Sequence, residues 1–274
     1  MCSSSTTEVT SKAEAPATVE GRYIYCVADS GEKASLGEIG IDGNKVHTIP
    51  YGDICAVAHR CPAVPYQSSD QQVVKQWVMA HQRVVDAAWQ RWGNVLPLTF
   101  DTIVKGQDGD WARRNVEDWL TQEYDRLKAR IDKVRDKAEF GVQVSWNTSV
   151  IARSLAETSP EIRSLREEIG SKPRGLAYMY RQKLESLLKK EMEAKADQCF
   201  KDCYGRIRRY VADIRVEKTK QAEPGWQMIL NLSCLVQRGG YAELGRELEQ
   251  VKNTEGFSVR FSGPWPPYSF VGGV

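Results

Sequence analysis

The chain has 274 residues, of which 41% are hydrophobic and 27% are charged, proportions typical of a globular protein with enough apolar material for two cores. The net charge of +2 gives no support for a dedicated nucleic-acid binder, in which a clearly basic domain is expected. No apolar run is long enough to cross a bilayer, so we predict no membrane span.

The start of the chain differs in composition from the rest. Residues 1–20 are rich in Ser, Thr and Ala, and they contain neither the apolar core of a signal peptide nor the arginines of a transit peptide. We therefore expect residues 1–20 to form a disordered tail and the protein to be cytoplasmic.

Four apolar segments then predict β-strands. The segment 22–28 is apolar on both faces, as expected of a central strand. The runs 36–41 and 46–49 are separated by Asp-Gly-Asn at 42–44, which is a strong hairpin signal. Residues 53–58 are the fourth predicted strand.

The period changes to helical spacing at Asp70, and Gly93 is placed to end this helix. Alternating apolar residues from Leu96 to Thr102 predict one further strand. Residues 108–137 carry an apolar stripe on a charged background, which predicts a long helix that bridges to a second domain. Residues 21–138 are therefore expected to form a mixed α+β sheet domain.

The periodicities of residues 139–274 predict a second domain with the element order βαββαβ, the ferredoxin-like arrangement. Residues 147–174, which are polar and mostly helical in pattern, form an insertion after its first strand. The fold class expected for the whole chain is α+β with two domains. The predicted elements of the second domain are β 142–146, α 175–210, β 212–216, β 227–236, α 240–252 and β 257–262.

Residues that bear catalytic or metal-binding chemistry form no recognisable motif. The sequence contains no nucleophile elbow, zinc-protease helix, phosphate-binding loop or dinucleotide fingerprint. Cys199 and Cys203 would share one helix face, but no His or second Cys pair accompanies them. We predict no enzymatic activity, no cofactor and no metal.

Residues 171–220 hold fourteen Lys or Arg against seven Asp or Glu. Such an excess is typical of a solvated helix face, and the alternative is a docking surface for an acidic partner. Arg206, Arg208 and Arg209 are the candidate contact residues in this segment.

The terminal run GPWPPYSFV follows the last predicted strand directly. Its three prolines, Pro264, Pro266 and Pro267, are expected to end the strand and to hold the backbone near polyproline II. Two interpretations of the rings remain open: they close a core, or they dock an apolar partner. The candidate docking residues are Trp265, Tyr268 and Phe270.

This terminal run resembles the closing signature of the GvpL/GvpF gas vesicle proteins, a G-P-W-P-P-Y-x-F run. The resemblance spans roughly residues 22–272, although the family's LP-x-RFGT segment has Thr99 and Asp101 here in place of its Arg and Gly. Four other stretches agree with the family in content and order: 23–27, 96–104, 139–146 and 172–185.

The resemblance implies a cytoplasmic accessory protein of gas vesicle formation, located in the cytoplasm and at the vesicle. Members are held to contact the small, hydrophobic major shell protein and to assist its nucleation and assembly. The implied partners are the shell protein and other vesicle accessory proteins, with no nucleic acid and no cofactor. The alternative is a ferredoxin-like module that binds nucleic acid or a small ligand, but neither RNP aromatics nor a glycine-rich loop supports it.

Overall fold

The computed structural model describes residues 19–107 and 111–271, so the predicted disordered tail lies almost wholly outside the described residues. The described chain is a mixed α+β structure, as predicted, with two sheets. It divides into two compact units, one of residues up to Trp92 with Leu98–Lys128, and one of Gly93–Pro97 with residues from Ala129 onward. Among the described residues, no helix has the length and apolar composition that a bilayer crossing needs.

The described residues of the first half of the chain form six strands and three α-helices. These are β1 (Glu20–Ala28), β2 (Ser35–Gly37), β3 (Val46–Tyr51), β4 (Ile54–Pro62), α1 (Gln71–Trp92), β5 (Val95–Pro97), β6 (Ile103–Lys105), α2 (Trp111–Gln122) and α3 (Tyr124–Val134). The boundary between the two units falls inside α3.

The predicted central position of the first strand is confirmed. β1 pairs antiparallel with β4 and with β6, while β3 continues the sheet from β4 and β2 from β3. Every side chain from Tyr23 to Ala28 is fully buried, because both faces of β1 are covered. This is why the segment shows a continuous apolar run rather than a period of two.

The predicted strand 36–41 is shorter than expected. β2 ends at Gly37, and Ile41–Gly43 forms a 3₁₀ turn in which Asp42 has a φ of 52° and Gly43 a φ of 73°. The Asp-Gly pair therefore does make the chain reverse, but inside a longer loop than a two-residue hairpin.

The single strand predicted from Leu96 to Thr102 is wrong, because a turn separates β5 from β6. Asp101 in this turn has a φ of 70°, in the left-handed region that a strand cannot accommodate. Its backbone N–H donates to the Tyr23 hydroxyl at 3.0 Å, and its Oδ1 accepts from the backbone N–H of Tyr66 at 3.0 Å. Tertiary hydrogen bonds thus hold a conformation that the alternating pattern does not reveal.

Replacement of Asp101 by Ala should destabilise the first unit more than replacement by Gly. Both variants lose the carboxylate acceptor of the Tyr66 N–H, but only Ala places a Cβ in the left-handed region, which costs about 1–2 kcal/mol. Chemical denaturation of the two variants measures the difference. Equal stability of the two would contradict a left-handed Asp101.

The long helix predicted over 108–137 is replaced by α2 and α3, and residues 108–110 lie outside the described residues. The helix ends early because Asp136 has a φ of 55°, a left-handed residue typical of a helix C-terminus. The next strand begins immediately, at Lys137.

The second half of the chain supplies the elements of the second unit. They are β7 (Lys137–Asn147), α4 (Thr148–Thr158), α5 (Pro160–Ser171), α6 (Arg174–Ile207), β8 (Asp213–Val216), β9 (Trp226–Gln237), α7 (Tyr241–Lys252) and β10 (Phe257–Trp265). The sheet has the order β10-β7-β9-β8, and all neighbours are antiparallel. The predicted helical segment after β7 forms two helices, α4 and α5. The chain divides there because the Ser159 hydroxyl caps α5 and Pro160 occupies its first turn.

A hydrogen-bonded cluster of Tyr and His side chains lies in the core of the first unit. The Tyr25 hydroxyl accepts from the Ile41 N–H at 3.0 Å and lies 2.7 Å from His59 Nδ1, while His59 Nε2 lies 3.1 Å from the Tyr66 hydroxyl. Which group donates in the bonds from Tyr25 and Tyr66 to His59 depends on the tautomer of the ring.

The neighbouring pair repeats this arrangement. The Tyr23 hydroxyl accepts the Asp101 N–H and lies 2.9 Å from Nδ1 of His81, which is buried. Both histidines are buried, and burial lowers the pKa of each ring to about 4, which favours the neutral imidazole.

Candidate functional site

Helices pack on one face of the second sheet, and within the described residues none of α1–α7 lines the groove on the other face. Phe140 on β7 stacks on Phe261 of β10 and on Tyr241 of α7, so this is the helix-covered face. Glu139, Gly141 and Gln143 alternate with Phe140 and Val142 along β7. They therefore lie on the opposite face of the sheet, because successive residues of a strand point to opposite faces. The alternation that predicted β7 thus separates an apolar face from a polar one.

A groove of about 580 Å³ lies on the polar face. Its walls come from β7, β9, the segment after β8 and the terminal residues of the chain. The lining residues are Glu139, Gly141, Gln143, Glu217, Lys218, Lys220, Asn231, Leu232, Ser233, Trp265 and Ser269.

Glu139 fastens the terminal segment to the sheet. Its carboxylate accepts the backbone N–H of Ser269 at 2.7 Å and the Ser269 hydroxyl at 2.6 Å, and that hydroxyl lies 3.1 Å from the hydroxyl of Ser233. Glu139 is buried, and burial raises the pKa of its carboxyl above the ordinary value although the hydrogen bonds act in the opposite direction. These contacts join residues 130 positions apart, so no local sequence pattern could have predicted them.

Burial alternates along the terminal segment. Pro266 and Pro267 are buried and Phe270 is only 5% exposed, whereas Trp265 is 49% exposed and Tyr268 is 36% exposed. Phe270 agrees with the interpretation that the rings close a core, whereas Trp265 and Tyr268 do not. Phe270 packs inward with the Arg215 guanidinium over its ring at 5.6 Å, and Trp265 and Tyr268 present aromatic surface to solvent.

The backbone of this segment differs from the predicted one in two ways. β10 continues through Pro264 to Trp265, which pairs with Glu139 after a register shift. An edge strand tolerates proline at a bulge, and Gly263 permits the shift with a φ of 128°. Polyproline II geometry is not maintained, because the ψ of Pro267 is 58° and Tyr268–Phe270 forms a 3₁₀ turn.

The three candidate arginines lie at the end of α6, on the helix-covered side and apart from the terminal rings. Arg206 forms an ion pair with Glu247 of α7 and donates to Gln250 at 3.1 Å. Arg208 donates to the backbone carbonyl of Val211 at 3.0 Å, and Arg209 is exposed. The hydrogen bond from Arg206 holds the pKa of the Glu247 carboxyl below its ordinary value. Two of the three arginines thus have intramolecular partners.

The cysteine pair of α6 is placed as its spacing predicted. Cys203 is buried, and burial raises the pKa of its thiol to about 11, while Cys199 is partly buried. Across residues 19–107 and 111–271, no group of three or more His, Cys, Asp or Glu side chains is arranged to hold a metal ion.

The sequence profile described as "Gas vesicle synthesis protein GvpL/GvpF" matches residues 21–272. The chain belongs to the GvpL/GvpF family. Its role therefore lies in gas vesicle formation. The matched range includes both units and ends just after the terminal aromatic segment.

Individual relatives agree with the family match. Gas vesicle protein L1 of Halobacterium salinarum is 29% identical, over 96% of this chain and 95% of its own length. Gas vesicle protein F of a Streptomyces species is 28% identical, over 91% of this chain and 98% of its own length. Relatives named L and relatives named F both align with nearly the whole chain.

The fold is that of solved family structures. The crystal structure of the gas vesicle protein GvpF from Anabaena sp. PCC7120 superposes with a TM-score of 0.74 at 16% identity, covering 92% of this chain and 98% of that one. The structure of GvpF from Microcystis aeruginosa gives a TM-score of 0.62 at 15% identity. At such low identity these likenesses establish the architecture alone.

Proposed function

We propose that the chain is a non-enzymatic assembly factor that binds the hydrophobic major shell protein of the gas vesicle and assists its nucleation. The observation that carries this proposal is the exposure of Trp265 and Tyr268 on a segment whose neighbouring residues are buried and hydrogen-bonded. Exposed aromatic rings on an ordered backbone are suited to binding, because little conformational entropy is lost when a partner covers them.

The chemistry of the partner supports this assignment. A shell protein that polymerises through apolar surface needs apolar contacts while it is still unassembled. Trp265 stands at the rim of the polar groove, so an apolar segment could pack on the ring while its backbone polar groups meet the groove. The arginine cluster is a weaker candidate, since Arg209 alone has no intramolecular hydrogen bond or ion pair within the described chain.

We assign the second unit to the ferredoxin-like arrangement, with α4 and α5 as an insertion. The antiparallel order β10-β7-β9-β8 supports the assignment, since it places the unit's four strands in the order fourth, first, third, second. In that arrangement the crossover helices pack on one face of the sheet, and we propose that the partner meets the opposite face. The proposed location is the cytoplasm and the growing vesicle, alongside other accessory proteins.

Replacement of both Trp265 and Tyr268 by Ala should abolish capture of the shell protein while the fold remains intact. Loss of two exposed aromatic anchors of an interface should cost at least about 2 kcal/mol, or roughly 30-fold in affinity. The measurement is affinity capture from cells that co-express the tagged chain and the major shell protein, with circular dichroism as the fold check.

The matched control is Trp111→Ala, because Trp111 is an exposed tryptophan of similar accessibility on α2 of the first unit. This control should capture the shell protein as the wild type does. A folded double variant that captured the shell protein normally would refute the assignment of the terminal rings.

A further inference from the structure

Most of α6 leaves apolar side chains uncovered. The helix has 34 residues, all of them described, and between Arg174 and Asp202 its single buried side chain is Ala177. Leu176 is 49% exposed and Met179 is 64% exposed. With Lys183 and Leu187, these two residues follow the spacing of three and four that places side chains on one helix face. This face of α6 lies beside α5 and has no further element over it among the described residues.

A groove of about 480 Å³ runs between α5 and α6 along this face. Leu165 of α5 and Leu187 of α6 line it, and its two rims carry opposite charges. Glu161 and Glu168 stand on the α5 rim, while Lys183 stands on the α6 rim. No ion pair joins the two rims in the described chain, so their charges are available to a partner.

This pattern of charges is complementary to itself. When two copies of the face meet about a twofold axis parallel to the groove, the α5 rim of one copy lies opposite the α6 rim of the other. The Glu161 and Glu168 rim of α5 then faces the Lys183 rim of the second copy, and the reverse contact forms by symmetry. Leu187, which is partly exposed in a single copy, is covered by the second copy, whereas Leu165 beside it is already buried. The arrangement is that of a four-helix bundle built from two helical hairpins.

We propose that the α5–α6 face is a dimerisation surface whose occupant is a second copy of this chain. The dimer does not depend on the terminal rings, since those lie on the sheet face and not on α5 or α6. α5 spans only about 18 Å, so the buried area is small and the dimer is expected to dissociate in the micromolar range. Two copies joined in this way would present two sets of Trp265 and Tyr268 to the vesicle surface.

The test is a pair of charge variants studied by analytical ultracentrifugation at concentrations up to about 100 µM. Lys183→Glu makes both rims acidic, and the double variant Glu161→Lys with Glu168→Lys makes both rims basic. Each variant alone should sediment as a monomer of 30.9 kDa, whereas the wild type reaches twice that mass. An equimolar mixture of the two variants should restore the dimer, because acidic rims then face basic rims.

Lys189→Glu and Arg166→Glu are the matched controls, since these exposed residues lie about 100–160° around their helices from the residues that line the groove. Both controls should dimerise as the wild type does. A monomeric wild type at the highest concentration overturns the proposal. So does a dimer that the rim variants do not weaken, or a mixture of the variants that stays monomeric. Shell-protein capture is measured separately, so failure of the dimer and failure of the proposed function are distinguishable.

Discussion

Acidification should lower the stability of the first unit at pH values well above those at which its carboxylates become protonated. Burial lowers the pKa of His59 and of His81 to about 4, from an ordinary value of 6.5. As the pH falls below about 6.5, the unfolded chain therefore takes up protons at these positions before the folded chain does. The stability that the neutral histidines provide is complete above this pH and is lost progressively down to about 4.

The size of the effect follows from the shift in pKa. Each pKa unit corresponds to about 1.4 kcal/mol. Protonation of each histidine across this range can therefore lower the free energy of unfolding by on the order of 3 kcal/mol. Burial explains the low pKa values, because a charged imidazolium would lose its hydration in the apolar core.

The measurement is amide hydrogen exchange of β1 and α1 as a function of pH, corrected for the intrinsic pH dependence of exchange. His59→Asn and His81→Asn are the controls, since an amide can keep a hydrogen bond to the tyrosine hydroxyl but cannot titrate in this range. Each control should be less stable at neutral pH because it leaves a cavity, yet its stability should change less with pH. A wild-type profile that is flat between neutral pH and about 4.5 would contradict neutral, buried histidines.

The second unit should respond differently over the same range. Burial raises the pKa of Glu139, so the folded chain binds a proton there before the unfolded chain does. Its protonation on acidification favours the fold, with the opposite sign to that of the histidines. Exchange measured segment by segment separates the two contributions.

The sequence predicted those parts of the fold that local patterns determine. The apolar run of β1, the helix from Gln71 to Trp92 and the alternation of β7 lie where their periodicities placed them. The errors fall where a contact from another part of the chain determines the backbone. Asp101 breaks a predicted strand because its left-handed conformation is held by hydrogen bonds to Tyr23 and Tyr66.

The candidate site shows the same division. The terminal run could be singled out from sequence because prolines and aromatic residues are concentrated there, but the pattern could not tell inward rings from outward ones. Phe270 points inward because Ser269, one residue before it, is bonded to Glu139. Residues of the α5–α6 groove carry no signal of their own, since exposed Glu and Lys are ordinary on helices.

The contact between Glu139 and Ser269 should decide whether the terminal rings are presented at all. Glu139→Ala leaves the Ser269 N–H without its acceptor and leaves the Ser269 hydroxyl with Ser233 as its remaining partner. Hydrogen bonds to a charged group are worth about 1.5–3 kcal/mol. We expect local opening of the terminal segment by roughly 30-fold in amide exchange at Tyr268 and Phe270, whose N–H groups bond to Pro266 and Pro267.

Two control variants separate this anchoring from other effects. Glu139→Gln keeps an acceptor oxygen and removes the buried charge. The increase in amide exchange at Tyr268 and Phe270 should therefore be smaller in Glu139→Gln than in Glu139→Ala. Gln143→Ala changes a groove residue that does not contact Ser269, and it should leave the exchange of both amides unchanged. If the proposed function is correct, Glu139→Ala also weakens shell-protein capture with Trp265 still present, because an aromatic anchor binds well only where its backbone is already ordered. Unchanged exchange at both amides in Glu139→Ala would mean that the buried prolines alone hold the segment in place.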